Sequence, residues 1–534
     1  MTFKAESLGK YFPATASLMG KSLWSEFLSR LPALLDEETL AKEFADFISQ
    51  NACSSYARDL FAVERERALV EAFPEPALPT SHIRVVNPSL RIVKIGFRGL
   101  PVLLNPGAEP RVQPEKGEEF VLAWRMPETG EVHTEAASRE DLLALKIVAE
   151  DLDIRYLART GSATIGALAD VLCRAAERGL LVQPCSKIQR DPGIFAQGVV
   201  TDEEYLVARG FTLQWHITQA CDLHCKHCYD RSDRAHMPYD QALRVLDDLY
   251  AFCNDKHVYG NVTFTGGNPF LYPYFFDLYK AASDYGFGLA ILGNPVSSAA
   301  LERIAAIRKP SHYQISLEGL RERNDAVRGA GHFDRSLKFL SNLRSLGIDS
   351  MVMLTLTRDN IDDIIPLAML LRDYTDTFHF NRLAMVGEGA HLLLPERQKY
   401  KAFICDYLRA AEGNPVMGLK DNFLNIPLHR QGRPLFGGCA GFGCAAAFNF
   451  VALLPDGEVH ACRKLPSPIG NIYQSSFSEI YDSAQAIRYR SGCSACASCP
   501  IRAVCGGCLA IAYGYGLDIF HERDPLCFME EGGT

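Results

Sequence analysis

The sequence predicts an α/β protein built around a parallel sheet. Residues 211–390 alternate strand and helix patterns six times in succession. The 534 residues are 48% hydrophobic, enough for three or four domains with substantial cores. Most of the 17 cysteines fall in two blocks, residues 221–253 and 439–508, which also hold every close Cys-x2-Cys pair. That distribution points to metal or cluster ligation.

Residues 1–80 read as an N-terminal helical domain, with leucine-rich segments at 22–35 and 39–62. Residues 82–185 change character. Segments 83–95 and 101–104 read as strands, and 120–124 with 132–134 as a hairpin around Pro127-Glu128-Thr129-Gly130. Ser138, three residues before Asp141, marks a helix start. Gly179 marks the end of a helix pair before Leu180-Leu181-Val182. Within 205–390, strands are expected near 211–217, 261–265, 288–293, 312–317, 351–357 and 377–383. The helix at 239–256 puts Ala242, Leu243, Leu246, Leu249 and Phe252 on one face. Repeated βα units imply right-handed crossovers. Residues 391–430 read as a bridging helical segment and 431–534 as a compact cysteine-rich module.

The net charge is −9 without a basic run, which argues against a nucleic-acid partner. No run of eighteen apolar residues is present, and Met-Thr-Phe-Lys-Ala-Glu lacks a signal peptide's apolar core. A cytoplasmic protein without a membrane partner is expected, and disulfides are not.

Cys221, Cys225 and Cys228 stand in the run Cys-Asp-Leu-His-Cys-Lys-His-Cys-Tyr. Three thiolates at this spacing suit a four-iron cluster and leave one iron without a protein ligand. Such an open position lets a metal bind a reactant. A zinc knuckle is the competing reading, with His224 or His227 as fourth ligand. The motif leaves an apolar strand and precedes an amphipathic helix, and it resembles the radical SAM signature. That resemblance implies a partial (β/α)6 TIM-like barrel over 205–390. It also implies a [4Fe–4S] cluster on the three cysteines, whose open iron binds S-adenosyl-L-methionine. One electron then splits that molecule into methionine and a 5′-deoxyadenosyl radical. Many members carry Tyr or Phe where His227 stands, so a ring is kept. His227 and Tyr229 are expected beside the cofactor.

Gly266-Gly267-Asn268-Pro269 resembles the family's Gly-Gly-Glu-Pro motif, whose backbone contacts the cofactor's amino group. Glycines permit close backbone approach. Asn268 replaces the usual Glu, and an amide still accepts a hydrogen bond without charge. The resemblance places Asn294, Ser316 and Glu318 near the ribose and carboxylate. The acid–base residue is not assigned.

The spacing Cys439-x4-Cys444-x12-Gly457-x4-Cys462, then Cys496-x2-Cys499-x5-Cys505-x2-Cys508 and Cys527, resembles the SPASM extension of these enzymes. The resemblance implies two auxiliary [4Fe–4S] clusters, making three in all. One would be held by Cys439, Cys444, Cys462 and Cys508, the other by Cys496, Cys499, Cys505 and Cys527. A zinc ribbon on 496–508 would leave four cysteines unexplained. Cys53, Cys173, Cys185, Cys253 and Cys405 are expected to be small buried side chains. Cys493 is an extra thiol that could exchange with a ligand.

Residues 82–185 resemble the winged-helix-like peptide-recognition element of ribosomal-peptide (RiPP) maturases, in which a leader peptide adds as a strand. The reading is therefore a radical SAM/SPASM peptide maturase acting on a precursor peptide, with an electron donor of flavodoxin or ferredoxin type. Thioether or azole-type products fit a faint resemblance to maturases of cysteine- or selenocysteine-containing peptides. The alternatives are a formylglycine-generating sulfatase-maturating enzyme and a metal-binding regulator without catalysis.

Overall fold

The computed structural model describes residues 2–73, 84–104, 113–161, 163–195, 200 and 202–530. The chain forms two compact units, Met1–Cys185 and Ser186–Thr534.

In the first unit, helices Pro13–Ser29, Glu37–Gln50 and Ala57–Ala72 pack through Phe12, Phe27, Phe44 and Phe61. Thr2–Lys4 pairs antiparallel with Leu34–Asp36, a short ladder that the helical pattern of 1–80 does not announce. Farther along, Arg91–Arg98, Glu115–Arg125 and Val132–Ala136 form a three-stranded antiparallel sheet in that order. The strand expected over 83–95 is divided, and its first residue, 83, lies outside the described residues. Val85–Val86 pairs instead with Leu181–Val182. The Asn87 side chain accepts from Ser89 N at 2.9 Å, and this Asn-Pro-Ser turn breaks the run. Leu100–Leu104 is a 3-10 turn rather than the expected strand, entered through Gly99 at φ 84°. The hairpin turn closes with Gly130 N donating to Met126 O at 3.0 Å. Ser138 and Asp141 form a reciprocal capping box on helix Arg139–Ala149.

The second unit carries one nine-stranded sheet. Its first six strands in sequence are β1 Gly210–Thr218, β2 Tyr259–Gly266, β3 Gly288–Leu292, β4 His312–Ser316, β5 Ser350–Leu356 and β6 Thr377–Arg382. They lie parallel in sequence order. Helices run between them, and the strand centres are largely buried, such as Leu289-Ala290-Ile291 in β3. Beyond β1 the sheet continues with β7 Phe450–Leu453, parallel to β1, then β8 Glu458–His460 and β9 Pro468–Asn471. The cysteine-rich segment is thus bonded into the sheet through Leu213 beside Val451 and Trp215 beside Leu453.

Of the five cysteines expected to be buried, only Cys253 is so; Cys53, Cys173 and Cys405 are partly exposed, and Cys185 is exposed. Cys173 illustrates the reason. It sits beside the buried stripe Leu168, Val171, Leu172 and Ala175 of its helix, not within it.

Candidate active site

A cavity of about 450 Å³ opens at the carboxyl ends of β1–β6. Sites built on parallel strands form at this end. Cys221, Cys225 and Cys228, from the loop after β1, line it with Gly266 at the end of β2, Gly267 just after it and Asn294 after β3. Ser316, His227 and Tyr229 also line it.

The cysteine loop is tied to the glycine turn. Gly267 N donates to Thr218 O and Asn268 N to Ala220 O, each at 2.8 Å. A Cβ at Gly266 or Gly267 would collide with the carbonyl oxygens of Thr218 and Ala220. Asn268 is buried behind this turn. Its Nδ2 donates to Asp222 Oδ1 at 3.1 Å, while its Oδ1 accepts from Phe270 N at 3.2 Å. Asn294 Nδ2 donates to the same Asp222 oxygen at 2.6 Å and approaches Cys221 Sγ at 3.5 Å. An amide therefore suits position 268, because a Glu there could not donate to Asp222. Pro269 starts the short 3-10 turn after Asn268 and, like it, is off the cavity lining.

Glu318 is fully buried and also off the lining. Its Oε1 lies 2.6 Å from Arg328 Nη2 and 3.0 Å from His227 Nε2, and its Oε2 accepts from Thr355 N at 2.9 Å. Burial alone would raise the carboxyl, but His227 and Arg328 outweigh it and hold it down at about 2. Arg328 Nη1 points to Cys225 Sγ at 3.6 Å. Burial raises the thiols of Cys225 and Cys228, and Arg328 works against that rise at Cys225.

The three thiols open onto the cavity with N–H donors aimed at two of their sulfurs, a donor set that fits thiolates bound to iron. Among the described residues, no three His, Cys, Asp or Glu side chains converge on a single ion site.

Farther from the barrel, the thiols of Cys439, Cys444, Cys462 and Cys508 lie within one another's fields. Burial first, then mutual repulsion, pushes Cys444 and Cys462 up to about 11 and Cys508 up to about 12. Cys496, Cys499, Cys505 and Cys527 line a separate cavity of about 150 Å³. Cys493 stands beside Cys496, and its thiol donates to Glu522 O at 3.2 Å.

Two supports of these groups carry no motif. Asn422 accepts from Cys439 N and donates to Cys505 O, both at 2.7 Å, so one buried amide joins the two thiol groups. Arg382, on the wall of the larger cavity, pairs with Asp421 and Asp524 at 2.7 Å each. Asp524 in turn accepts from Cys508 N at 3.1 Å. Arg382 at the end of β6 and the loop containing Gly387 were detectable only as polar or glycine residues past a strand. Glu388 N there donates to Cys228 O at 2.9 Å.

Residues 215–371 match the radical SAM superfamily, and 444–508 match the SPASM iron–sulfur cluster-binding domain. The chain is 31% identical over 338 residues to the mycofactocin maturase MftC of Mycolicibacterium smegmatis, covering 59% of this chain and 82% of that one. It is 28% identical to an AdoMet-dependent heme synthase of Nitratidesulfovibrio vulgaris, covering 59% and 91%. It is 26% identical to the antilisterial bacteriocin subtilosin biosynthesis protein AlbA of Bacillus subtilis, covering 55% and 65%. The structure of Streptococcus suis SuiB bound to S-adenosylmethionine aligns at 16% identity and TM-score 0.49, over 77% of this chain and 96% of that one. Among the described residues, no helix is long and apolar enough to cross a membrane. With both domains matched and a 31% identical relative covered over 82% of its length, this chain belongs to the radical SAM enzymes that carry a SPASM iron–sulfur domain.

Proposed function

We propose that this enzyme matures a ribosomally synthesised precursor peptide. The observation that carries the reading is the convergence of Cys221, Cys225 and Cys228 with the glycine turn on one cavity that Arg463 and Lys464 of the cysteine-rich module also line. The relatives named as peptide maturases, MftC and AlbA, support the peptide as substrate. Once reduced by one electron from an external donor, the first cluster with bound S-adenosylmethionine would supply hydrogen-atom abstraction chemistry.

The chain's own residues do the rest. Cys221, Cys225 and Cys228 hold the first [4Fe–4S] cluster. Gly266, Gly267, Asn294, Ser316, His227 and Tyr229 form the cofactor's surroundings. Asn268, with Pro269 behind it, and Glu318 position the loop from the rear of the wall. Cys439, Cys444, Cys462 and Cys508 hold one auxiliary cluster, and Cys496, Cys499, Cys505 and Cys527 the other. The strand-end residues would hold the substrate's C–H bond near the cofactor. The module at 82–185 takes the leader. Among the described residues, its sheet has outer strands Arg91–Arg98, where Gly96 N already donates to Asp59, and Val132–Ala136, an edge at which a leader strand would add.

The test is anaerobic incubation of the reduced, cluster-loaded chain with S-adenosylmethionine and a short cysteine-containing peptide encoded beside its gene. Release of 5′-deoxyadenosine and a mass change in the peptide are expected. Release with no peptide change, for this and other leader-bearing peptides, contradicts a maturase.

A further inference from the structure

The cavity wall is unevenly charged. Arg231, Arg328, Arg382, Arg463 and Lys464 line it, against a single carboxylate, Asp230. Three of the cations are committed. Arg328 is taken by Glu318 at 2.6 Å, and Arg382 by Asp421 and Asp524 at 2.7 Å. Arg231 donates to Cys225 O at 2.9 Å and lies 3.9 Å from Glu388. Asp230 is engaged as well, accepting from Gln219 Nε2 at 2.7 Å and from Ser232. Arg463 and Lys464 are different: neither has a carboxylate partner among the described residues.

Their position narrows what they could bind. They follow Cys462 on the connection from β8 to β9, and among the described residues they are the only lining residues that the cysteine-rich module contributes. All other lining residues come from the barrel and the loops at its strand ends, including every lining residue assigned above to the cofactor's surroundings. Arg463 acts on His216 and Tyr229 on the barrel side, and Lys464 lies beside Cys439 and Cys508. The pair thus lines the cavity while Lys464 also lies in the field of the auxiliary thiols Cys439, Cys462 and Cys508. A guanidinium presents a planar fork to a carboxylate, and an adjacent ammonium adds a second donor.

We propose that Arg463 and Lys464 form a carboxylate-binding site that seats the substrate. The ligand is a peptide carboxylate, either the chain terminus or an Asp or Glu side chain. This rests on the peptide reading above, and it makes the acid group a requirement for substrate entry.

The test uses the anaerobic, cluster-loaded full chain and three probes followed by ligand-observed NMR: N-acetyl-diglycine, its C-terminal amide, and N-acetyl-aspartic acid amide. A probe carrying a carboxylate is expected to bind about tenfold or more tighter than the neutral amide. Which acid binds identifies the terminus or the side chain as the source. R463M and K464M should each weaken that binding about tenfold, while R463K and K464R retain part of it. Iron content and thermal unfolding identify any variant that fails to fold, and the comparison of acid with amide on the unsubstituted chain stands without the variants. Equal binding of acid and amide, or no saturable binding of any probe, overturns the proposal. So does weakened S-adenosylmethionine binding in the variants with probe affinity intact, which would give the pair to the cofactor. A shifted auxiliary-cluster reduction potential with probe affinity intact also overturns it. Failure of S-adenosylmethionine to alter the first cluster's spectrum would strike the peptide-maturase reading and leave the carboxylate titration as it is.

Discussion

Arg328 holds Glu318 Oε1 with two nitrogens, Nη2 at 2.6 Å and Nε at 2.9 Å, and reaches the sulfur of Cys225 with the third, Nη1, at 3.6 Å. The contact fixes a buried charge behind the cysteine loop. E318Q keeps the shape and leaves the guanidinium without its counter-charge. Breaking a buried pair from one side costs about 3–5 kcal/mol. E318Q should therefore lower the unfolding midpoint clearly and reduce iron bound at the first site. Stability within about 1 kcal/mol of the parent would contradict this role.

Asn268 and Asn294 both donate to Asp222. Restoring the family's carboxylate with N268E would set two carboxylates against each other. S-adenosylmethionine binding should weaken about tenfold, since Asp222 loses one of its two amide donors and faces a second carboxylate instead. The double variant D222N/N268E should recover much of the loss, because the amide introduced at position 222 can donate where Asp222 accepted. A double variant no better than N268E would contradict the pairing.

The strands were legible where they read as apolar runs with buried centres, as in Leu289-Ala290-Ile291 of β3 and Val352-Met353-Leu354 of β5. The cysteine motif was legible because its chemistry is local: three thiols within eight residues. β7, β8 and β9 were not foreseen, since segments of three or four residues show little period. Glu318 was expected at the cofactor because it ends a strand. Its partners Arg328 and Thr355 lie 10 and 37 residues away, so sequence position could not tell which way the carboxylate turns. Asn422 was invisible for the same reason: its partners Cys439 and Cys505 are 17 and 83 residues distant.

G267A tests the closeness of the glycine turn. A methyl group there would strike the Ala220 carbonyl, so turn and cysteine loop must separate. A loss of about 1–3 kcal/mol in stability, with weaker S-adenosylmethionine binding by calorimetry, is expected.

Asp141 caps its helix through Ser138 and pairs with Arg178 at 2.6 Å. Burial would raise its carboxyl, but the Ser138 hydrogen bonds and Arg178 hold it below the ordinary 3.8. A depressed carboxyl stabilises the fold above the unfolded-state value and loses that contribution as pH falls through the folded-state value. D141N should cost about 1–3 kcal/mol at pH 7. The gap between parent and variant should close as pH drops below 3.8, followed by chemical denaturation across that range. A gap independent of pH would show that the charge is not involved.

C221A/C225A/C228A should remove about four of about twelve irons per chain, leaving both auxiliary sites loaded. The measurement that bears most directly on the central claim is the electron paramagnetic resonance spectrum of that triple variant and of the parent, each reduced anaerobically, with and without S-adenosylmethionine. The parent's first-cluster signal should change on addition of S-adenosylmethionine, and the variant should show no such change. An unchanged parent spectrum, or a change that survives loss of all three cysteines, would contradict the account.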